Sequence, residues 1–292
     1  MITVRIVGGL GNQMFQYACG RALAQRMRTH VYFDLSAFHN YRVHNYGLSG
    51  FCAEVVKAPW HLTTGSRLWA VARRLHFSPA PYFALRGIRW IDEGVDLSYR
   101  PQQLALQGAA YLSGYWQCAS YFDDCEARIR EDFRLTPALD EILQERRHRL
   151  KIGQGVTVSV HIRRGDYVTD TAANATHGTL DQGYYKRAVE TLAAQLGGDF
   201  RLLVFSDDTA WARENLRLSA TTVHVDADNR FPQIDMHMMA SCDHHIIANS
   251  SFSWWGAWLN PTPSKIVIAP TRWFKSTALK ANDICPADWV RV

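Results

Sequence analysis

The sequence predicts an α/β protein built from two parallel-sheet units whose ligand-binding ends lie at the carboxyl ends of their strands. Three observations carry this reading. The chain opens strand–loop–helix–strand, strands and helices alternate from residue 156 to 269, and each polar motif falls where a strand gives way to a loop. At 292 residues the chain can build two cores. We place the units at 1–150 and 151–292, facing each other across a cleft. The basic run Arg146-Arg147-His148-Arg149 serves as the link.

The elements follow in order. Residues 2–7 (ITVRIV) are β-branched and end at Gly8-Gly9, which predicts a strand closed by a tight turn. Met14, Tyr17, Ala18, Leu23 and Ala24 recur at helical spacing over 13–28, and Val31-Tyr32-Phe33-Asp34 reads as a second strand. Residues 36–115 are punctuated by Gly and Pro and give no clear order. Within them, 55–91 contain no acidic residue, while Lys57, Arg67, Arg73, Arg74, Arg86 and Arg89 are interleaved with six large aromatics. Residues 66–75 (SRLWAVARRL) form either a basic amphipathic helix suited to an anionic membrane or an ordinary helix with a solvated face. Residues 121–150 read as helix and charged connector. The second half predicts strands at 156–162, 201–206, 222–225, 244–248 and 265–269. Helices are expected at 181–196 with Asp181 as N-cap, and at 208–217, 232–241 and 251–260.

Composition excludes several classes. With 47% hydrophobic and 20% charged residues the chain is globular rather than disordered. A net charge of +5 suits phosphorylated ligands but is too small, and too local, for a nucleic-acid binder. The six cysteines form no C-x-x-C pair and read as reduced thiols. No signal peptide and no run of about 18 apolar residues is present, so the expected location is cytoplasmic, with peripheral contact at the inner face of the cytoplasmic membrane as an option.

Five motifs carry the chemistry. Gly8-Gly9-Leu10-Gly11-Asn12-Gln13 is a strand-to-helix turn of the kind that lets backbone N–H groups approach phosphate or sugar oxygens. A nicotinamide site, with Asp34 on the ribose, would need a glycine where Met14 stands. His161-Ile162-Arg163-Arg164-Gly165-Asp166-Tyr167 delivers two guanidinium forks to a strand end, suited to a diphosphate, although an internal Arg–Asp pair would leave the same trace. Ser206-Asp207-Asp208 offers carboxylates to a purine edge or ribose, or only an N-cap at Asp208. Asn249 to Trp258 (NSSFSWWGAW) puts Ser250 and Ser251 at a helix start, an anion site, with tryptophans for core or sugar wall. Asp226-Ala227-Asp228 has the form of a metal-binding D-x-D, but the arginines already supply positive charge, so we expect no metal. His244 and His245 are adjacent and point to opposite faces of a strand, so they do not chelate together.

Taken together, GGLGNQMFQYA at 8–18, HIRRGDY at 161–167, FSDD at 205–208 and NSSFSWWGAWL at 249–259 resemble the α-1,2-fucosyltransferases of glycosyltransferase family 11, bacterial type, from Gly8 to about Ala269. The resemblance implies a GT-B fold of two Rossmann-like domains, an N-terminal acceptor-side domain and a C-terminal domain for GDP-fucose. It also implies an inverting, metal-independent transfer of L-fucose from GDP-β-L-fucose to O2 of a galactose, with no cofactor beyond that donor. The acceptor would be a galactose-terminated glycan such as an O-antigen repeat, which can be lipid-linked. By the same resemblance Arg163 and Arg164 contact the diphosphate and fucose, and His161 and Asp166 support them. Asp166 is also the only carboxylate near enough to name as a base. Ser250, Ser251 and Phe252 complete the diphosphate cradle, Asp207 or Asp208 meets the guanosine, and Asn12 faces the fucose. The alternatives are a fucosyltransferase of α-1,6 or O-linked type, which would lack SFSWWGAW, or a non-catalytic sugar-nucleotide or glycan-binding protein.

Overall fold

The computed structural model describes residues 1–39, 44–65, 77–228, 230–281 and 283–292, with Asp166 described in its backbone only. The chain divides into two compact units. The first comprises residues 1–134 and 280–284, the second 135–279 and 285–292. The division thus falls ahead of residue 150. The reason is Arg146, on the helix Pro137–Arg149, whose guanidinium pairs with Asp228 at 2.7 Å and Asp235 at 3.2 Å and so fixes this helix to the second unit.

In the first unit, β1 (Ile2–Arg5), β2 (Val31–Asp34), β3 (Ile88–Asp92) and β4 (Ala109–Ser113) form a parallel sheet in the order β2-β1-β4-β3. Helix α1 (Leu10–Arg26) starts three residues earlier than its apolar period suggested and packs on β1. The packing is close: a Cβ on Gly20 would lie 2.5 Å from Val4 Cγ2. Strands β3 and β4 arise from the stretch that the sequence left unordered, together with a one-turn helix α2 (Ala80–Ala84). Further along, α3 (Glu126–Asp132) belongs to this unit and α4 (Pro137–Arg149) to the next. The predicted basic helix at 66–75 lies outside the described residues.

The second unit is a six-stranded sheet, ordered β10-β9-β8-β5-β6-β7 and parallel at every pairing. Its strands are β5 (Val156–Ile162), β6 (Phe200–Ser206), β7 (Thr221–His224), β8 (His244–Ile246), β9 (Val267–Ala269) and β10 (Val290–Arg291). Short helices α5 (Gly165–Thr169) and α6 (Thr171–Thr176) follow β5. Next in sequence come α7 (Gln182–Leu196), α8 (Thr209–Asn215), α9 (Pro232–Ala240) and α10 (Ser251–Leu259). Asp181 caps α7 as expected, its carboxylate accepting from the Tyr184 N–H at 2.8 Å, and Gly197 ends it in the left-handed region (φ 64°).

Strand β5 lies inside this sheet, and six of its seven residues are buried, as a parallel strand covered on both faces requires. Val158, Val160 and Ile162 join Leu202, Val204, Ile246 and Ile268 in one core with Tyr184, Tyr185, Ala188, Val189 and Leu192 of α7. Alternation sends Ser159 and His161 to the opposite face. There Ser159 Oγ lies 2.8 Å from His245 Nδ1, and the His161 ring is 5.6 Å from Phe252 of α10. Trp254, Trp255 and Trp258 are all buried, the first two in an edge-to-face pair at 5.0 Å, and Trp254 also meets Trp289. All three belong to the core, and none is a sugar wall. Gly256 lets α10 approach α9, since a Cβ there would lie 3.1 Å from Met239. No described helix is long and apolar enough to cross a membrane.

Candidate functional site

Strands β8, β5 and β6 are neighbours, so the segments leaving their carboxyl ends, 247–250, 163–164 and 207–208, emerge side by side. That is where an open parallel sheet places its ligands. The residue pairs at the strand ends are Val160 with Ile246 and Ile162 with Ser206.

Asp207 organises the arginines. Its Oδ2 lies 2.8 Å from Arg163 Nη1, while its Oδ1 accepts from the backbone N–H of Arg164, also at 2.8 Å. Asp208 accepts from Arg164 Nε at 3.3 Å and, through its other oxygen, from the Trp211 N–H at 3.1 Å. It therefore N-caps α8 and steers an arginine at once. The Arg164 guanidinium lies 3.9 Å from the Trp211 ring centroid, a cation–π contact worth about 0.5–2 kcal/mol. Both ion pairs are partly exposed, with Arg163 and Asp207 side chains each at 25%, so their value here is orientation more than stability. A guanidinium has five N–H donors, more than a single carboxylate can take.

Gly165 is required for closeness. A Cβ at Gly165 would sit 2.7 Å from Asp207 Oδ2 and 3.2 Å from its Cγ. Only a residue without a side chain lets the carboxylate reach both arginines from across the strand ends. The sequence reading gave Gly165 to a tight turn; the structure gives it to the first position of α5 and to this approach.

Ser250 N-caps α10, its Oγ accepting from the Phe252 N–H at 3.3 Å, so the helix opens at the end of the β8 exit with Ser251 as its first residue. The N-terminus of a nine-residue helix carries N–H groups and a positive dipole end. Tyr167 links the two halves, its hydroxyl donating to the Asn249 carbonyl at 3.4 Å while Arg163 lies 5.4 Å from its ring. Asn249 anchors the rest, its amide donating to the carbonyls of His177 at 3.0 Å and Trp273 at 3.1 Å. Tyr167, Trp211 and Asn249 are the residues that sequence reasoning missed as parts of this site. The signal for Trp211 was its place three residues after the capping Asp208.

His161 is buried beneath α10, and burial pushes its imidazole down to about 4, so it is neutral at physiological pH. Among the described residues its Nδ1 has no hydrogen-bond partner. His245 is likewise buried and held low, to about 3, between Ser159 and Asn260, whose amide lies 2.9 Å from Nε2. His244 faces the other way, its Nδ1 accepting from the Ile266 N–H at 3.0 Å. The backbone of Asp166 lies in α5, and its side chain is outside the described residues.

Two other motifs make internal contacts. Asp228 accepts from Arg146 and from the N–H groups of Arg230 and Phe231, while Asp226 reaches exposed Arg213 at 3.2 Å. Among the described residues no group of three or more His, Cys, Asp or Glu side chains could hold a metal ion. In the first unit, Asp34 is fully buried. It accepts from the Ser36 and Thr64 N–H groups and from the Tyr111 hydroxyl, so it has no capacity for a ribose. Buried Gln13 and Gln16 tie the turn after β1 to the carbonyls of Gly8 and Gly114. Asn12 belongs to this unit as well, and its Oδ1 accepts from Gln117 Nε2 at 2.7 Å.

Comparison with known proteins accords with this geometry. A family model described as glycosyl transferase family 11 matches residues 90–292. The chain is 32% identical to an alpha-1,2-colitosyltransferase of Escherichia coli, covering 100% of this chain and 99% of that protein. It is 31% identical to the O-antigen biosynthesis glycosyltransferase WbnK of Escherichia coli, covering 91% and 93%. To galactoside alpha-(1,2)-fucosyltransferase 2 of Rattus norvegicus it is 28% identical, over 89% of this chain and 67% of that one. Among solved structures, a mutant of Arabidopsis thaliana FUT1 in complex with GDP matches with a TM-score of 0.54 at 10% identity, covering 91% and 69%. POFUT1 in complex with GDP-fucose matches at 0.50 and 11%, covering 92% and 97%. At such identities the likeness speaks for the fold, which is GT-B. The chain belongs to glycosyltransferase family 11.

Proposed function

We propose that this glycosyltransferase moves L-fucose from GDP-β-L-fucose to O2 of a galactose in an oligosaccharide or polysaccharide, with inversion, giving an α-1,2 linkage. The observation that carries the reading is the pairing of Arg163 and Arg164 with Asp207 and Asp208 beside the N-terminus of α10. Two oriented guanidinium groups and a helix N-terminus suit a diphosphate. Breaking the sugar–phosphate bond leaves negative charge on GDP and an oxocarbenium-like sugar. Donors fixed at the leaving phosphate stabilise that charge as it forms.

In this reading Arg163 and Arg164 hold the diphosphate with Ser250, Ser251 and Phe252 at the helix start. Asp207 and Asp208 orient the forks rather than read the base. His161, neutral and buried, supports the site beside Phe252. The role of taking the acceptor proton goes to Asp166.

A second donor is favoured by the full-length similarity to an alpha-1,2-colitosyltransferase. Colitose is fucose without its 3-hydroxyl, so both sugars pose the same demand at the diphosphate. A site that hydrogen-bonds the 3-hydroxyl rejects the deoxy sugar by about 10⁴-fold or more, whereas one that is apolar there does not. Incubating the protein with GDP-fucose or GDP-colitose and a panel of β-galactosides in EDTA, then assigning the linkage by NMR, tests the proposal. We expect an α-1,2-linked product from GDP-fucose with EDTA present. No fucosylated galactoside, or transfer from GDP-colitose alone, would refute the fucose reading.

A further inference from the structure

The first unit carries an exposed apolar and basic surface to which the proposed reaction assigns no role. The 3-10 turn Trp60–Leu62 and helix α2 (Ala80–Ala84) lie side by side, joined by the Tyr82 hydroxyl donating to the His61 carbonyl at 3.1 Å. Beneath them Leu62 and Phe83 are buried with Ile88 and Tyr111, so both elements are seated on one core. Large apolar side chains nonetheless face outward around them: Trp60 is 82% exposed, Leu85 87% and Phe77 65%. Solitary exposed leucines are ordinary. Three large apolar residues on and next to two adjoining elements suit a partner.

The charge around them specifies that partner. No acidic residue occurs between 55 and 91. Lys57 and Arg86 are exposed there, and the Arg86 guanidinium is fixed 3.7 Å over the Tyr82 ring while donating to the Tyr82 carbonyl at 3.1 Å. Tryptophan and leucine beside arginine, in a stretch of sequence without carboxylates, match an anionic lipid surface. The indole and leucine enter the headgroup boundary, and each cation near the surface strengthens binding about fivefold, the equivalent of about 1 kcal/mol. A second copy of this face fits poorly, because a two-fold contact would set cation against cation.

We infer that the Trp60–Leu85–Arg86 face of the first unit docks the protein on an anionic membrane surface. Such docking would bring the enzyme to acceptors held at that surface, and it stands apart from which sugar is transferred.

Co-sedimentation of the full chain, without donor, tests it on vesicles of phosphatidylcholine alone and on vesicles with added phosphatidylglycerol. The expected result is binding to the anionic vesicles, weakened by salt. Trp60→Ala with Leu85→Ala should cut it by about tenfold. Arg86→Gln should cut it by about fivefold. Both variants should keep wild-type melting and wild-type transfer to a soluble galactoside, which separates docking from folding and from the reaction. Equal binding to neutral and anionic vesicles, variants that bind like wild type, or self-association through this face without lipid binding would overturn the inference. Any of these results would leave the transfer proposal intact.

Discussion

Arg163→Ala is expected to lower kcat by about 10²–10³-fold, the usual loss when one donor to a developing oxyanion is removed. Arg163 holds its fork against Asp207 at 2.8 Å, so the guanidinium is already oriented before donor arrives. Arg163→Lys keeps the charge but replaces a planar fork by a point charge on a mobile stem, and it forfeits the two-oxygen grip on a phosphate. We expect lysine to recover less than about tenfold of the alanine loss. The measurement is steady-state kinetics with GDP-fucose varied at saturating acceptor. A lysine variant within about twofold of wild type would remove Arg163 from the leaving-group role.

Gly165→Ala is the second large effect, and it arises in a residue that touches no ligand. The new Cβ would be 2.7 Å from Asp207 Oδ2, nearer than a Cβ sits to an unbonded neighbour. The carboxylate must withdraw, which loosens Arg163 and frees the Arg164 N–H together. A displacement of about 1 Å in catalytic groups can cost about 10²-fold, and we expect 10- to 100-fold in kcat/KM. Asp207→Asn serves as the comparison. It keeps the shape and the Arg164 bond but weakens the hold on Arg163, so it should lose less than the alanine substitution at Gly165. Melting temperatures within a few degrees of wild type would show that both variants fold. Wild-type kinetics for Gly165→Ala would show that Asp207 does not position the arginines.

Much of the second unit was legible because strands and helices alternate regularly there and its two central strands, β5 and β6, run for seven residues each. The span of β5 was read directly as 156–162, and α7 was read with its cap. The first unit was less legible for a physical reason. Strands β3 (IRWID) and β4 (AAYLS) are five residues each, lie among glycines and prolines, and have too little alternation to stand out. Their identity as strands depends on tertiary pairing with β1, which no local pattern records. The two-residue β10 pairs with β9 on the same terms.

The site shows a similar split. Strand-end placement brought Arg163, Arg164, Asp207, Asp208, Ser250 and Ser251 together as the motifs implied. The division of labour among them was not visible. Asp207 and Asp208 looked free to meet a nucleoside, and only the fold shows them engaged by arginines from the neighbouring strand, some forty residues earlier. The tryptophans of SFSWWGAW looked available to a sugar, yet α10 turns them into the core. Buried networks around Asp34 and Gln13 likewise converted apparent ligand groups into supports.

The central claim is that the strand-end arginines hold a diphosphate, and the most direct measurement is calorimetric binding of GDP and GMP to wild type and to Arg163→Ala. The two nucleotides share guanosine and differ by one phosphate. The account predicts that wild type binds GDP at least about tenfold more tightly than GMP, a gap of about 1.4 kcal/mol, and that the gap closes in Arg163→Ala while GMP affinity is preserved. Equal affinities for GDP and GMP in wild type, or a gap that survives the loss of Arg163, would contradict it.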